Sequence, residues 1–108
     1  MTMNEYQGLA ARTSRIELSQ RDHLINGCLG LAGEAGECAD LLKKNLYQDH
    51  RAIREKLIEE LGDVLWYVAE TATALRVNLA DVANGNIAKL YERYPDGFEE
   101  EKSLFRQE

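Results

Sequence analysis

The stretch Ile53–Leu75, "IREKLIEELGDVLWYVAETATAL", decides the fold. Ile53, Leu57, Leu61, Val64, Leu65, Val68, Ala72 and Leu75 recur every three or four residues, which is the period of one helix face. The spacing predicts a helix from about Ala52 to Arg76, closed by "VNLAD" (Val77–Asp81). Upstream, Leu24, Cys28, Leu31, Ala35, Cys38 and Leu42 keep the same period and predict a second long helix over roughly Arg21 to Leu46. Only "YQDHR" (Tyr47–Arg51) breaks the pattern between the two. A short break of this kind makes neighbouring helices antiparallel.

Further out, Tyr6, Leu9, Ala10, Thr13 and Ile16 predict a helix from about Asn4 to Leu18. Leu79, Ala83, Ile87, Leu90 and Tyr94 predict another from about Leu79 to Tyr94, stopped by "PDG" (Pro95–Gly97). The tail "FEEEKSLFRQE" (Phe98–Glu108) is expected either to dock as a short segment or to fray. No segment alternates with period two for long enough to suggest a strand. The expected class is all-α: an antiparallel helical hairpin with accessory helices, forming a four-helix-bundle-like core. A chain of 108 residues is expected to make one domain over 1–108.

Composition excludes several functions. A net charge of −6 argues against nucleic-acid wrapping, which needs a basic surface. The longest stretch free of charge and histidine is Leu24–Gly33, too short to span a bilayer. "MTMNEYQ" lacks the basic start of a signal peptide, so none is expected. Cys28 and Cys38 sit in apolar contexts without metal-site spacing, and are expected as reduced core residues of a cytoplasmic protein.

Against this background the carboxylates stand out. In "GLAGEAGECADLLKK" (Gly30–Lys44), Glu34 and Glu37 are three residues apart beside the apolar stripe. Glu60 and Asp63 flank the stripe of the next helix in the same way. Across an antiparallel hairpin, facing residues have numbers that add to a constant. Glu37 with Glu60, and Glu34 with Asp63, add to the same total, and their midpoint falls between Gln48 and Asp49, inside the expected loop. The two acidic pairs are therefore level.

Either pair alone also fits a solvated helix face. Solvated pairs, however, have no reason to coincide in register. Unit charges ~4 Å apart repel by roughly 4 kcal/mol at an effective dielectric of 20. Four gathered carboxylates must therefore take up protons or hold a cation. A hard divalent ion such as Mg²⁺ suits carboxylate oxygens, and such ions activate water and screen polyphosphates. Gly27, Gly30 and Gly33 lie on the acidic side, where they allow either close helix packing or room for a ligand. Asn86, Lys89 and Arg93 share one flank of the last helix, a spacing that suits phosphate oxygens or surface ion pairs. Trp66 and Tyr67 suit either base stacking or a core or oligomer interface. His23 and His50 show no partner pattern.

"GLAGEAGECADLLKK", "EELGDVLWYVAETA" (Glu59–Ala72) and "NIAKLYERYPDGF" (Asn86–Phe98), in this order, resemble the MazG-like nucleotide pyrophosphohydrolases. These form part of the all-α NTP pyrophosphatase superfamily, with dimeric dUTPases and phosphoribosyl-ATP pyrophosphohydrolases as relatives. The resemblance runs from about Gln20 to Phe98. It implies hydrolysis of a nucleoside or deoxynucleoside triphosphate to the monophosphate and pyrophosphate, with Mg²⁺ or Mn²⁺. By position, Glu34, Glu37, Glu60 and Asp63 would be the catalytic metal ligands, and Asn86, Lys89 and Arg93 the phosphate contacts. A homodimer or homotetramer is also implied, completing the helical core.

One position departs from the pattern. Many relatives carry a doubled glutamate, E-E-x-x-E, and here Gly33 takes its first position. Glu59 would not replace it, because it points ~100° away from Glu60. The alternatives are phosphoribosyl-ATP pyrophosphohydrolysis, or a non-enzymatic helical module with a structural cation site.

Overall fold

The computed structural model describes residues 1–47 and 50–97, and among these every regular element is a helix. The order is α1 (Met3–Ala11), α2 (Gln20–Lys44), α3 (His50–Ala74) and α4 (Leu79–Arg93). The expected all-α class is what the chain adopts. The predicted tail and the loop midpoint at Gln48 and Asp49 lie outside the described residues.

α2 and α3 form the antiparallel hairpin, and their mutual contact is the main interface of the chain. Its register is the one expected from the loop. Gly27 lies against Thr71, Gly30 against Tyr67, and the Gln20 side-chain amide donates to the Ala74 carbonyl at 2.8 Å. The glycines make this approach possible. A Cβ on Gly30 would fall 2.1 Å from Tyr67 Cε1, and one on Gly27 only 2.5 Å from Thr71 Oγ1. At Gly33 and Gly36 a Cβ would meet nothing within 4 Å. Close packing thus accounts for the first two glycines but not for Gly33.

The helix ends explain how α1 and α4 attach. Thr2 and Glu5 form a capping box at α1, and the Ser19 hydroxyl accepts from Asp22 N at 3.1 Å to start α2. Lys43 and Lys44 in the last turn of α2 complement its dipole. α4 has no side-chain cap of its own. Its first N–H groups are taken instead by α1: Leu79 N donates to Gln7 Oε1 at 2.7 Å, and Ala80 N donates to Asn4 Oδ1 at 3.0 Å. Gln7 also donates from Nε2 to Thr73 Oγ1 (3.1 Å) and to the Val77 carbonyl (2.9 Å). One buried amide thus joins α1 to both sides of the α3–α4 turn. That turn is a Schellman motif, with Val77 N donating to Ala72 O and Arg76 N to Thr73 O. Arg76 takes the left-handed position at φ 60°, where glycine is the usual residue.

Three expectations need correction. α1 ends at Ala11, not near Leu18, and Ile16 is 94% exposed. The cause is local: Arg12, Thr13 and Ser14 donate to carbonyls three residues back, and the Thr13 hydroxyl takes the Ala10 carbonyl at 2.7 Å. The α3 stripe is only partly covered, since Ile53 and Ala72 are buried while Leu61 and Leu75 are more than half exposed. Ala69 and Ala74 join the buried face in their place. Cys28 is exposed and not a core residue; it and Cys38 are both free thiols.

Much apolar surface stays open among the described residues: Leu29, Leu46 and Leu61 are all more than half exposed. The core around Ala10, Ala69 and Leu79 is small, edged by Tyr6, Trp66 and Val68.

Candidate metal centre

Two helices position the acidic cluster. Glu34 sits a turn past Gly30 on α2, and Glu60 and Asp63 sit before Tyr67 on α3. The Gly30–Tyr67 contact fixes how closely the helices approach here, so the carboxylates meet across the seam. One oxygen from each of Glu34, Glu60 and Asp63 lies within 4.8 Å of the other two. Glu34 and Glu60 are half-buried, and Asp63 is exposed.

The electrostatics are those of crowded acids. Glu60 is pushed up from the ordinary glutamate range, first by desolvation, then by a hydrogen bond shared with the Glu34 carboxyl. The charges of Glu34, Asp63 and Glu37 add to it in that order. The Tyr6 phenol is also pushed up, by burial and then by Asp63, which places α1 beside the cluster.

The expected ligands are not equally placed. Glu34, Glu60 and Asp63 come together as a candidate cation site. Glu37 is close enough to raise Glu60 and shares a groove with it, which Asp40, Lys44, Lys56 and Glu59 also line. Asp40 and Lys44 pair there at 2.9 Å. On the other side, Glu34 and Asp63 share a groove with Trp66 and Tyr67. These rings meet edge-to-face, with centroids 4.9 Å apart, and Trp66 Nε1 donates to Thr13 Oγ1 at 2.8 Å. Among the described residues both grooves are walled by α2 and α3. Asn86, Lys89 and Arg93 lie on α4, which packs on α1 and α3.

A second polar centre lies further along the seam. Glu70 is buried, with the Ser14 hydroxyl donating to its Oε1 at 2.6 Å and His23 Nδ1 lying 2.9 Å from the same oxygen. Sequence reasoning assigned His23 no role and passed over Glu70. The available signal was spacing: Glu70 follows Asp63 by two helical turns and so shares its face.

The donor set fits a hard divalent ion. Three carboxylates with part-open surroundings supply oxygen ligands and leave room for water. An antiparallel all-α hairpin with acidic residues facing across its seam defines the class of protein. The chain belongs to the family of the MazG nucleotide pyrophosphohydrolase domain, whose model matches residues 25–98. It is similar to the Gene 37 protein of Mycobacterium phage L5, 45% identical over 73 residues. That match covers 64% of this chain and 64% of the phage protein. No solved structure matches the chain significantly. Among the described residues no helix is long and apolar enough to cross a membrane.

Proposed function

We propose that the protein hydrolyses a nucleoside or deoxynucleoside triphosphate to its monophosphate and pyrophosphate, with Mg²⁺ (Mn²⁺ as a substitute). The observation that carries this reading is the convergence of Glu34, Glu60 and Asp63 to within 4.8 Å across the hairpin of a MazG-family chain. In this reading Glu34, Glu60 and Asp63 hold the cation, with Glu37 as a fourth carboxylate at its edge. When bound, Mg²⁺ supplies charge screening for the triphosphate and acidifies a water.

The chain's own residues do the rest. Glu60, pushed up by desolvation and then by its acidic neighbours, would hold the cation as a carboxylate beside Glu34 and Asp63. Trp66 and Tyr67 wall the groove next to Glu34 and Asp63 and limit water on that side. Asn86, Lys89 and Arg93 are the proposed phosphate contacts. The grooves beside the acids are walled by α2 and α3, so we assign these contacts to α4 of a second copy in a homodimer or homotetramer.

The test is pyrophosphate release over a panel of NTPs and dNTPs, with and without Mg²⁺, for wild type, Asp63→Asn and Lys89→Ala. Mg²⁺-dependent release abolished by Asp63→Asn supports the reading. No release from any substrate refutes it. Lys89→Ala is expected to raise KM.

A further inference from the structure

A cavity of about 330 Å³ lies between the α1–α2 connection, the start of α2 and the end of α3. Ser14, Arg15, His23, Glu70, Thr73 and Arg76 line its polar side. Its floor is the Glu70 carboxylate, whose side chain is only 4% exposed. Both protein donors converge on one oxygen, Oε1. Oε2 has no protein donor among the described residues. Yet no buried side-chain oxygen in that set is sealed off without a partner, so Oε2 opens onto the cavity that Glu70 lines.

A buried carboxylate with one open oxygen is costly unless something donates to it. An ionised carboxylate only accepts, so its complement is a ligand bearing N–H groups. Ala11, Ile16 and Ala74 provide apolar surface for a flat ring. At the rim stands Arg76, which makes no ion pair among the described residues and holds a left-handed backbone that glycine would adopt freely.

The position of the cavity relates it to the acidic cluster. Asp63 and Glu70 lie two turns apart on one face of α3, about 10 Å along the axis. Trp66 and Tyr67 stand between them. That spacing is comparable to the reach from the outer phosphates of a nucleotide to the far edge of its base.

We infer that this cavity seats the base of the nucleotide substrate, with Glu70 Oε2 accepting from the base's exocyclic amino group. The inference rests on the pyrophosphohydrolase reading and names its substrate class. Adenine, cytosine and guanine carry such a group, whereas the single N3–H of uracil and thymine is flanked on both sides by carbonyl oxygens that a carboxylate repels. His23 and Ser14 are positioning residues: they hold Oε1 so that Oε2 faces the cavity.

The experiment measures binding of dAMP, dCMP, dGMP, dUMP and dTMP to the full chain with Mg²⁺ by calorimetry. It uses wild type and Glu70→Gln, beside kcat/KM for the matching triphosphates. The amino-bearing bases are expected to bind wild type at least about tenfold tighter than dUMP and dTMP. Glu70→Gln keeps an acceptor for Ser14 and His23 but turns an amide N–H₂ toward the cavity, and is expected to shrink that ratio below about threefold. Equal binding of all five bases to wild type overturns the inference, and this holds even if the variant does not fold. An unchanged ratio in a folded variant, or two nucleotides bound per chain, also overturns it. Because binding is read without turnover, a base ranking without hydrolysis would fault the hydrolase reading alone.

Discussion

Gly30 and Gly33 are one turn apart and look alike in sequence, yet their surroundings separate them. Adding a methyl at Gly30 drives it into the half-buried Tyr67 ring. Gly30→Ala is therefore expected to destabilise the protein by about 1–3 kcal/mol. Gly33→Ala meets open space and is expected to stabilise it by up to ~1 kcal/mol through helix propensity. Urea unfolding of the two variants checks both signs, and equal effects would contradict this account of the seam. The same openness leaves room for a glutamate at Gly33's position. Glu60 gives a pH prediction at this scale. Its proton affinity is raised in the folded state, so the stability it contributes is complete below the ordinary value of 4.5 and is lost as pH rises through the raised one. In the proposed reading a divalent ion would take the proton's place above that range. The thermal midpoint should therefore gain more from Mg²⁺ near about pH 7.5 than near about pH 5. Equal gains at both pH values would mean that the cation does not bind at Glu60.

Among the elements, the α3–α4 turn depends on α1 through Gln7, which satisfies donors and acceptors from three segments. Gln7→Met keeps the volume but leaves the Leu79 N–H and Val77 carbonyl without partners, and is expected to cost about 1–3 kcal/mol in denaturant unfolding. A smaller loss would mean that water replaces the amide there. The hairpin was legible in the sequence because two long stripes and a single short break fix both the helices and their antiparallel register. Level placement of Glu34 with Asp63 followed from that register alone. The end of α1 was not legible, because the bonds that hold the Thr13 and Ser14 hydroxyls in place run to Trp66 and Glu70, which only the fold brings near. His23 escaped for the same reason: its partner lies 47 residues away. Glu37 reads as equivalent to Glu34 by spacing and shares a groove with Glu60, while the three oxygens that come closest are those of Glu34, Glu60 and Asp63, because helical spacing fixes a flank but not how far a side chain reaches across the seam.

For the whole molecule, the apolar surface left open among the described residues is the dominant feature: Leu61 on α3 is 56% exposed, and Ile87 and Tyr91 on α4 are 48% and 68% exposed. A hydrophobic effect of ~25 cal/mol per Å² favours covering such faces, and a second copy presents the same surface. Light scattering is expected to give a dimer or tetramer of the 12.2 kDa chain; a stable monomer at micromolar concentration would contradict this. The central claim is that the acidic seam directs cleavage between the α- and β-phosphates of a nucleoside triphosphate. Phosphorus NMR of the products formed from a dNTP by wild type and by Asp63→Asn, with Mg²⁺ and with EDTA, tests it most directly. The account predicts equimolar monophosphate and pyrophosphate from wild type with Mg²⁺, and no products in the other three combinations. Diphosphate with inorganic phosphate, or the same products from Asp63→Asn, would contradict it.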